Sequence, residues 1–521
     1  MSLKTNFSMS LSLLLLLVSA ASAQADSSNE HKPASISGTV TNSVTGAPLP
    51  HAHVRLDQKG RATRAYGAMT DEQGRFSIAT VEPGDYLVSA EHRGYASVNA
   101  SDRDAKELTL KPGEEMKDFA LQLIPYAVIS GRVLDVNGVP FDKATVTAIN
   151  GASSHQAETD DRGQFRIGGL GSGRYVVKAS RGGPMPPEVR TDGTDEINYA
   201  RTYYPGVRTA ESAQPVQARA GEETAGIEIK MVPGPVLHVS GMVAPVGKAR
   251  RYEVVLDGNH RGLEVGTDMR FTLWRFPPGQ HQVLALSYDM SDSEMRSAPT
   301  VITLTNTSIE GIHLAPSAPF ELAVEIKLDE SAGERKGDKN PTVDLQLVGP
   351  LRHEDPDTDR NSDGSLKITD IFPGRYRVRL DESSQDFYVK SVRLGSKEFE
   401  DGILDLRSGA QKGPLIVHLA TDGAEISGVV RDPKGPVAGA EVTLLYDDEF
   451  GFDVADTAHA QPDGAYAFHE VAPGKYKIFA CDPKQAGNQW TSESLALYIS
   501  VTETVEVGEA DKITQDLKFL P

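Results

Sequence analysis

Two short motifs recur along this chain, and they limit its folds more than any other feature. The first is Ile36-Ser37-Gly38-Thr39-Val40, which returns as Ile129-Ser130-Gly131-Arg132-Val133, Val239-Ser240-Gly241-Met242-Val243 and Ile426-Ser427-Gly428-Val429-Val430. The second is Pro83-Gly84-Asp85-Tyr86, which returns as Ser172-Gly173-Arg174-Tyr175, Pro278-Gly279-Gln280-His281, Pro373-Gly374-Arg375-Tyr376 and Pro473-Gly474-Lys475-Tyr476. Successive copies of the second motif lie about 100 residues apart, so one supersecondary unit is being repeated. Five copies account for nearly all of the chain, the fourth lacking a clear opening motif. The expected repeats span 26–124, 125–233, 234–316, 317–420 and 421–521.

Each copy reads as antiparallel β-structure. After the opening segment comes an alternating strand in which Ala52, Val54 and Leu56 face one way and His53 and Arg55 the other. Period two places the first set in a core and the second in solvent. Polar turns follow, such as Thr70-Asp71-Glu72-Gln73-Gly74 and Thr159-Asp160-Asp161-Arg162-Gly163, where Asp can bond its own backbone and Gly supplies positive φ. Short alternating strands close the copies, for example Ile227 to Met231 and Leu415 to Leu419. Together with 48 Gly and 31 Pro, these short strands and turns point to β-sandwiches rather than a parallel sheet. The expected fold class is all-β: about five tandem seven-stranded antiparallel β-sandwich domains in an elongated chain.

The N-terminus reads as an export signal. An apolar run from Leu11 to Val18 precedes Ala21-Ser22-Ala23, a small-residue cleavage pattern. Residues 1–25 are therefore expected to be removed, leaving an exported protein, periplasmic or extracellular. The run is too short to span a bilayer, and no second stretch of membrane length follows. Cys481 is the sole cysteine, so no internal disulfide can form and each repeat must rest on its own apolar core. Its neighbours Ile478, Phe479 and Ala480 suggest a buried, inert thiol. The net charge of −20 argues against nucleic acid and anionic membrane as partners.

Read in order, I-S-G-x-V, P-x-x-x-A-x-V-x-L, T-D-x-x-G-x-F and P-G-x-Y resemble the carboxypeptidase regulatory-like domain. That resemblance implies a transthyretin-like sandwich, also grouped with starch-binding-like folds. The first, second and fifth copies match it well. The third carries His281 in place of the Tyr, and the fourth shows mainly the turn and Pro373-Gly374-Arg375-Tyr376. In the second copy, Tyr199 to Gly206 looks like an insertion. The resemblance implies a fold and says little about function, because function resides in sites.

No catalytic constellation stands out, and the chain is not expected to be an enzyme. His155-Gln156-Ala157-Glu158 has the spacing of two zinc ligands, but on a strand residues i and i+3 point to opposite faces. His51 and His53 share a strand face in this reading and belong to a solvated surface. Gly-x-Ser-x-Gly is absent, and Gly169 to Gly173 precedes a strand, not a helix. No cofactor is expected. Calcium is the one cation with a matching pattern: Asp359, Asn361, Asp363 and Asp370 stand at positions one, three, five and twelve of a loop with Gly364 at six. Asn361 to Leu366 coincides with the hairpin turn of every copy, which is the weightier reading.

Carbohydrate binding has a physical route through exposed aromatic rings flanked by polar groups. Trp490 beside Asn488, Tyr203 with Tyr204, and Tyr446 among Asp447, Asp448 and Glu449 are the candidates. Trp274 alternates with Thr272 against Phe271 and Leu273 and is expected to pack within or between domains. The expected function is non-catalytic binding of a polysaccharide, other carbohydrate or cell-surface component. The alternative is a spacer or adhesion stalk with no small ligand of its own, acting through protein partners.

Overall fold

A computed structural model describes residues 32–59, 65–96, 106–151, 153–181, 191, 198–234, 237–247, 249–257, 263–276, 279–329, 341–349, 355–381, 384, 386–399, 402–447, 453–483, 492–499 and 501–520. The export signal expected at 1–25 lies outside them. Among the described residues nearly all regular structure is β-strand, and one short helix, Ser492–Ile499, interrupts it. Five separate apolar clusters run in chain order: Ala34 to Leu123, Ala127 to Met231, Leu237 to Leu314, Leu322 to Leu419 and Ala424 to Leu517. Residues 1–125 form one compact unit and residues 126–521 another.

The first repeat shows the plan. Its opening strand Ala34–Asn42 lies between Arg75–Val81 and the closing strand Glu115–Pro125, with Tyr95–Ala96 at the edge. A second sheet is built from Ala65–Met69, His53–Gln58, Gly84–Glu91 and Lys106–Leu110. Alternate residues Ile36, Val40, Val54, Leu56, Tyr86 and Val88 are buried between the two sheets. Their period of two is what a sheet with one buried face requires.

The sandwich is not wholly antiparallel. Opening and closing strands run parallel, because the chain returns to its start from the same end after crossing the domain. That pairing explains the Gly of the opening motif. A Cβ on Gly38 would sit 1.8 Å from the Phe119 carbonyl oxygen, and one on Gly131 would sit 1.8 Å from that of Ile227. Gly241 meets Ile312 at 2.1 Å and Gly428 meets Gln515 at 1.9 Å in the same way. In the first three repeats the residue before the partner is left-handed, at Asp118, Gly226 and Gly311 with φ of 58°, 80° and 76°. An extra residue is inserted there, and the parallel register shifts. The fourth repeat tests the explanation. Val324 replaces the Gly opposite Leu366, and its parallel ladder with Leu415 to Leu419 runs without a shift.

A second bulge recurs on the strand after the polar turn. Thr80, Gly169, Asp370 and Glu470 are left-handed at φ of 61°, 76°, 56° and 51°. Register skips at each, and the next residue (Val81, Leu170, Ile371, Val471) returns to the core.

The Tyr of the recurring turn is also structural. Tyr86, Tyr175, Tyr376 and Tyr476 are buried, and each hydroxyl donates to the carbonyl four residues earlier, at 2.6, 3.1, 2.9 and 2.8 Å. In the third repeat His281 instead faces the Asp257 carboxylate, Nδ1 to Oδ2 at 2.7 Å. Burial pushes the Tyr376 phenol up to about 12, so it remains a donor through the neutral range. Tyr376→Phe is expected to cost about 1 kcal/mol, because the part-buried Phe372 carbonyl loses this hydrogen bond. A denaturation midpoint unchanged from wild type would show that the bond contributes nothing.

Within 126–521 contacts are not confined to sequence neighbours, as an end-to-end array would require. Val176, Tyr203 and Ala210 of the second repeat share an apolar cluster with Leu445, Phe479, Cys481 and Leu520 of the fifth. The helix Ser492–Ile499 adds Leu495, Ala496, Leu497 and Tyr498 to it. Arg379 of the fourth repeat donates to the Ala455 carbonyl of the fifth at 3.2 Å. Val255, Leu284 and Leu286 of the third repeat form a small cluster against Leu347 of the fourth.

Candidate functional site

The residues expected to bind a ligand fall into three groups. Trp490 and Asn488 lie outside the described residues, as do Asp448 and Glu449. Tyr203 and Tyr446 are used in packing between repeats. Tyr203 is only 5% exposed and sits in the cluster shared by the second and fifth repeats. Its strand, Thr202–Tyr203, pairs with Lys178 and Ala179, and Tyr204 is half-buried against the core of the second repeat. Tyr446 packs on Tyr476, ring centroids 5.6 Å apart, and the Arg377 guanidinium of the fourth repeat lies 3.7 Å from its ring centre. A sugar cannot stack on Tyr203 in this state, and one approach to Tyr446 is occupied by a cation.

The calcium pattern is not assembled. Asp359 and Lys367 are partners across a hairpin, and Asp370 lies three residues further along, about 10 Å at the rise of a strand. Asp363 accepts from the backbone N–H and hydroxyl of Ser365, and Asn361 Nδ2 donates to the Ser365 hydroxyl. Those bonds, chiefly to Ser365, also hold the Asp363 carboxyl below its usual range. Asp370 serves the bulge described above. Among the described residues no group of three or more His, Cys, Asp or Glu side chains is placed to hold a metal ion.

The other candidates separate likewise. His155 pairs across the ladder with Ala148 and Glu158 with Thr145, which leaves them on opposite faces. His51 and His53 do not share a strand face. His51 lies in a turn at φ 58°, 3.5 Å from Glu72, whereas His53 begins the strand, 3.0 Å from Glu91.

The shared cluster of the second and fifth repeats was missed by sequence reasoning, although a signal existed. Tyr175-Val176-Val177, Leu444-Leu445 and Ile478-Phe479-Ala480-Cys481 are unbroken apolar runs in strands that otherwise alternate. A strand buried on both faces reads this way. Tyr476, Ile478 and Ala480 enter the sandwich core, while Phe479 and Cys481 turn outward into the shared cluster. There Phe479 stacks on Tyr498, centroids 5.0 Å apart and planes 23° apart. Cys481 is fully buried, and burial pushes its thiol far above the ordinary value, so the nucleophilic thiolate does not form near neutral pH.

Two outward faces of the opening-strand sheets carry more than scattered polar groups. In the second repeat a groove of about 710 Å³ is crossed by two ion pairs, Arg132–Glu228 at 2.6 Å and Arg166–Glu223 at 3.4 Å. The Ser130 hydroxyl and Arg166 hold the Glu223 carboxyl below its usual range. In the third repeat Trp274 is a register partner of His238, their rings 4.6 Å apart and tilted by 46°. His238 Nε2 lies 3.3 Å from Glu310 Oε1. Trp274 and His238 are half-buried and Glu310 is exposed.

Residues 35–122 and 128–200 match the model of the carboxypeptidase regulatory-like domain. The N-terminal region of this chain therefore carries two such domains, in line with the motifs read above. Over 483 residues the chain is 21% identical to Colossin-A of Dictyostelium discoideum, a match that covers 80% of this chain and 4% of that protein. Among solved structures it is similar to the minor pilin GBS52 of Streptococcus agalactiae, with 17% identity, a TM-score of 0.24, and coverage of 39% of this chain and 97% of that one. It is similar to BcpA, the major pilin subunit of Bacillus cereus, with 11% identity, a TM-score of 0.17, and coverage of 94% and 99%. A putative adhesin from Bacteroides ovatus gives 11% identity, a TM-score of 0.21, and coverage of 38% and 94%. Scores of this size carry no likeness of function.

Proposed function

We propose that this chain, with carboxypeptidase regulatory-like domains in its N-terminal region, is a non-catalytic exported scaffold whose repeats 126–521 are held in one arrangement. The observation that supports this reading is the apolar cluster shared by the second and fifth repeats. Residues that recur among the copies (the opening Gly of four, the turn Thr-Asp-Gly of the first two and the Tyr of four) make bonds and close contacts inside the fold. A constellation shared by all repeats for chemistry is thus not what the recurrence maintains. Two of the aromatics that would make a sugar platform serve contacts between repeats instead, which favours a scaffold over a chain of ligand-binding loops. Among the described residues no helix is long and apolar enough to cross a membrane. The leader segment places the scaffold outside the cytoplasm in this reading, with cell-surface components or other proteins as its partners.

Cys481 makes the reading testable. Being the sole cysteine and sealed in the shared cluster, it is expected to react with DTNB at least about a thousandfold more slowly in the native protein than in denaturant. Native labelling within tenfold of the denatured rate would mean that the second and fifth repeats separate freely in solution, and the fixed scaffold would fail.

A further inference from the structure

The third repeat departs from its siblings on one outward surface. Trp274 follows the core residue Leu273, and after the equivalent core residues Ile78, Ile167, Ile368 and Phe468 the other repeats carry Ala79, Gly168, Thr369 and His469. Its register partner His238 takes the place of Ser35, Val128, Glu321 and Glu425. An indole on a sheet face that faces solvent is not needed by the sandwich, since four other copies fold without it. We propose that Trp274, His238 and Glu310 form a binding strip for a neutral polysaccharide.

The strip is laid out by the ladder. Glu310, His238 and Trp274 cross three adjacent strands in one row. Ser240 and Thr272, a register pair with small side chains, come next. Met242, exposed at 38%, follows with its partners Arg270 and His313. The outward face therefore carries an aromatic pair at one end with two hydroxyl-bearing side chains next to it along the strands. A hexose presents an apolar C–H face and a rim of hydroxyls. The first suits the indole and imidazole faces, and the second suits the Glu310 carboxylate and the Ser240 and Thr272 hydroxyls. The close Glu310 carboxylate holds the His238 ring in place beside Trp274.

Size and charge decide against other occupants. Three strands about 4.8 Å apart and five residues along the strand at ~3.3 Å define roughly 130 Å². A stable protein–protein interface needs ~800 Å² from each partner, so this strip is too small for one, whereas a short run of sugar rings covers it. The exposed Glu310 and the net charge of −20 disfavour acidic polysaccharides. This inference concerns a ligand and is independent of the scaffold reading, whose test reads a thiol in the cluster shared by the second and fifth repeats.

The experiment is affinity gel electrophoresis of the full chain without its leader. The gels contain laminarin, hydroxyethylcellulose, xylan or galactomannan, with alginate as the acidic comparison. At least one neutral polymer is expected to retard the wild type. Trp274→Ala is expected to weaken that retardation about tenfold or more, the usual worth of one stacked ring plus its buried area, and Trp274→Phe to retain most of it. Glu310→Gln removes the carboxylate charge, leaves Trp274 itself in place, and is expected to weaken retardation by a smaller factor. Circular dichroism establishes that each variant is folded, and if Trp274→Ala is not, the Phe and Gln variants carry the test. No retardation in any neutral gel overturns the proposal. So does retardation that survives Trp274→Ala, that is lost with Trp490→Ala in its place, or that occurs only in alginate.

Discussion

Gly131→Ala is expected to destabilise the second repeat by about 3 kcal/mol or more, although it adds a single methyl group. The added Cβ would lie 1.8 Å from the carbonyl oxygen of Ile227 and 2.6 Å from its carbon, both backbone atoms that cannot rotate away. Opening and closing strands would have to move apart, and the parallel ladder from Glu223 to Lys230 would break. Gly138→Ala is the matched comparison. Gly138 is left-handed at φ 79°, but a Cβ there meets nothing within 4 Å. Only the left-handed penalty applies, about 1–2 kcal/mol. Calorimetry or urea denaturation of both variants separates the two causes. A Gly131→Ala protein no less stable than Gly138→Ala would show that the ladder yields, and the account of the recurring Gly would have to be abandoned.

Tyr203→Ala is expected to lower stability by about 3–5 kcal/mol and, in the same protein, to make Cys481 reactive. The two residues are far apart in sequence and belong to different repeats, yet both face the cluster closed by Phe479 and Tyr498. Removing the ring leaves a cavity in the cluster that buries the thiol, and water entering it weakens the burial that holds the thiolate down. DTNB labelling read against thermal unfolding checks both halves of the expectation. A variant that loses stability while its thiol stays as protected as in wild type would place Tyr203 in the second repeat alone. A variant that keeps full stability and loses only ligand binding would return Tyr203 to the role of a sugar platform.

Most of the architecture was legible because it rests on local patterns. Strict alternation in Ala52 to Leu56 marks a half-buried strand, and the Thr-Asp-x-x-Gly turn specifies its own bonds through Asp71 and Gly74. Recurrence of the Gly could be seen, but its reason could not. A parallel partner some 80 residues away, with an inserted left-handed residue at Asp118, is a register relation that leaves no trace near Gly38. The fourth copy is divergent in sequence, and the structure shows why it can be: its ladder runs straight, so Val324 fits where Gly is otherwise required.

The candidate site was less legible, because exposure is a tertiary property. Tyr203 and Trp274 are both aromatic residues on short strands. Sequence placed the first toward ligand and the second toward packing, and the structure seats Tyr203 between repeats and leaves Trp274 on an outward face. Asp359, Asn361, Asp363 and Asp370 satisfied a spacing rule written for a loop, and a β-hairpin spends the same spacing along two strands.

By itself, the sequence determined that the chain repeats, that each repeat is a sandwich, and where the turns fall, since period-two burial and turn chemistry act over a few residues. Only the tertiary structure decided that the second repeat meets the fifth and that an opening strand lies parallel to its closing strand. It also decided which aromatic is left facing solvent. Those outcomes depend on which apolar faces find each other across hundreds of residues, and no local periodicity encodes that choice.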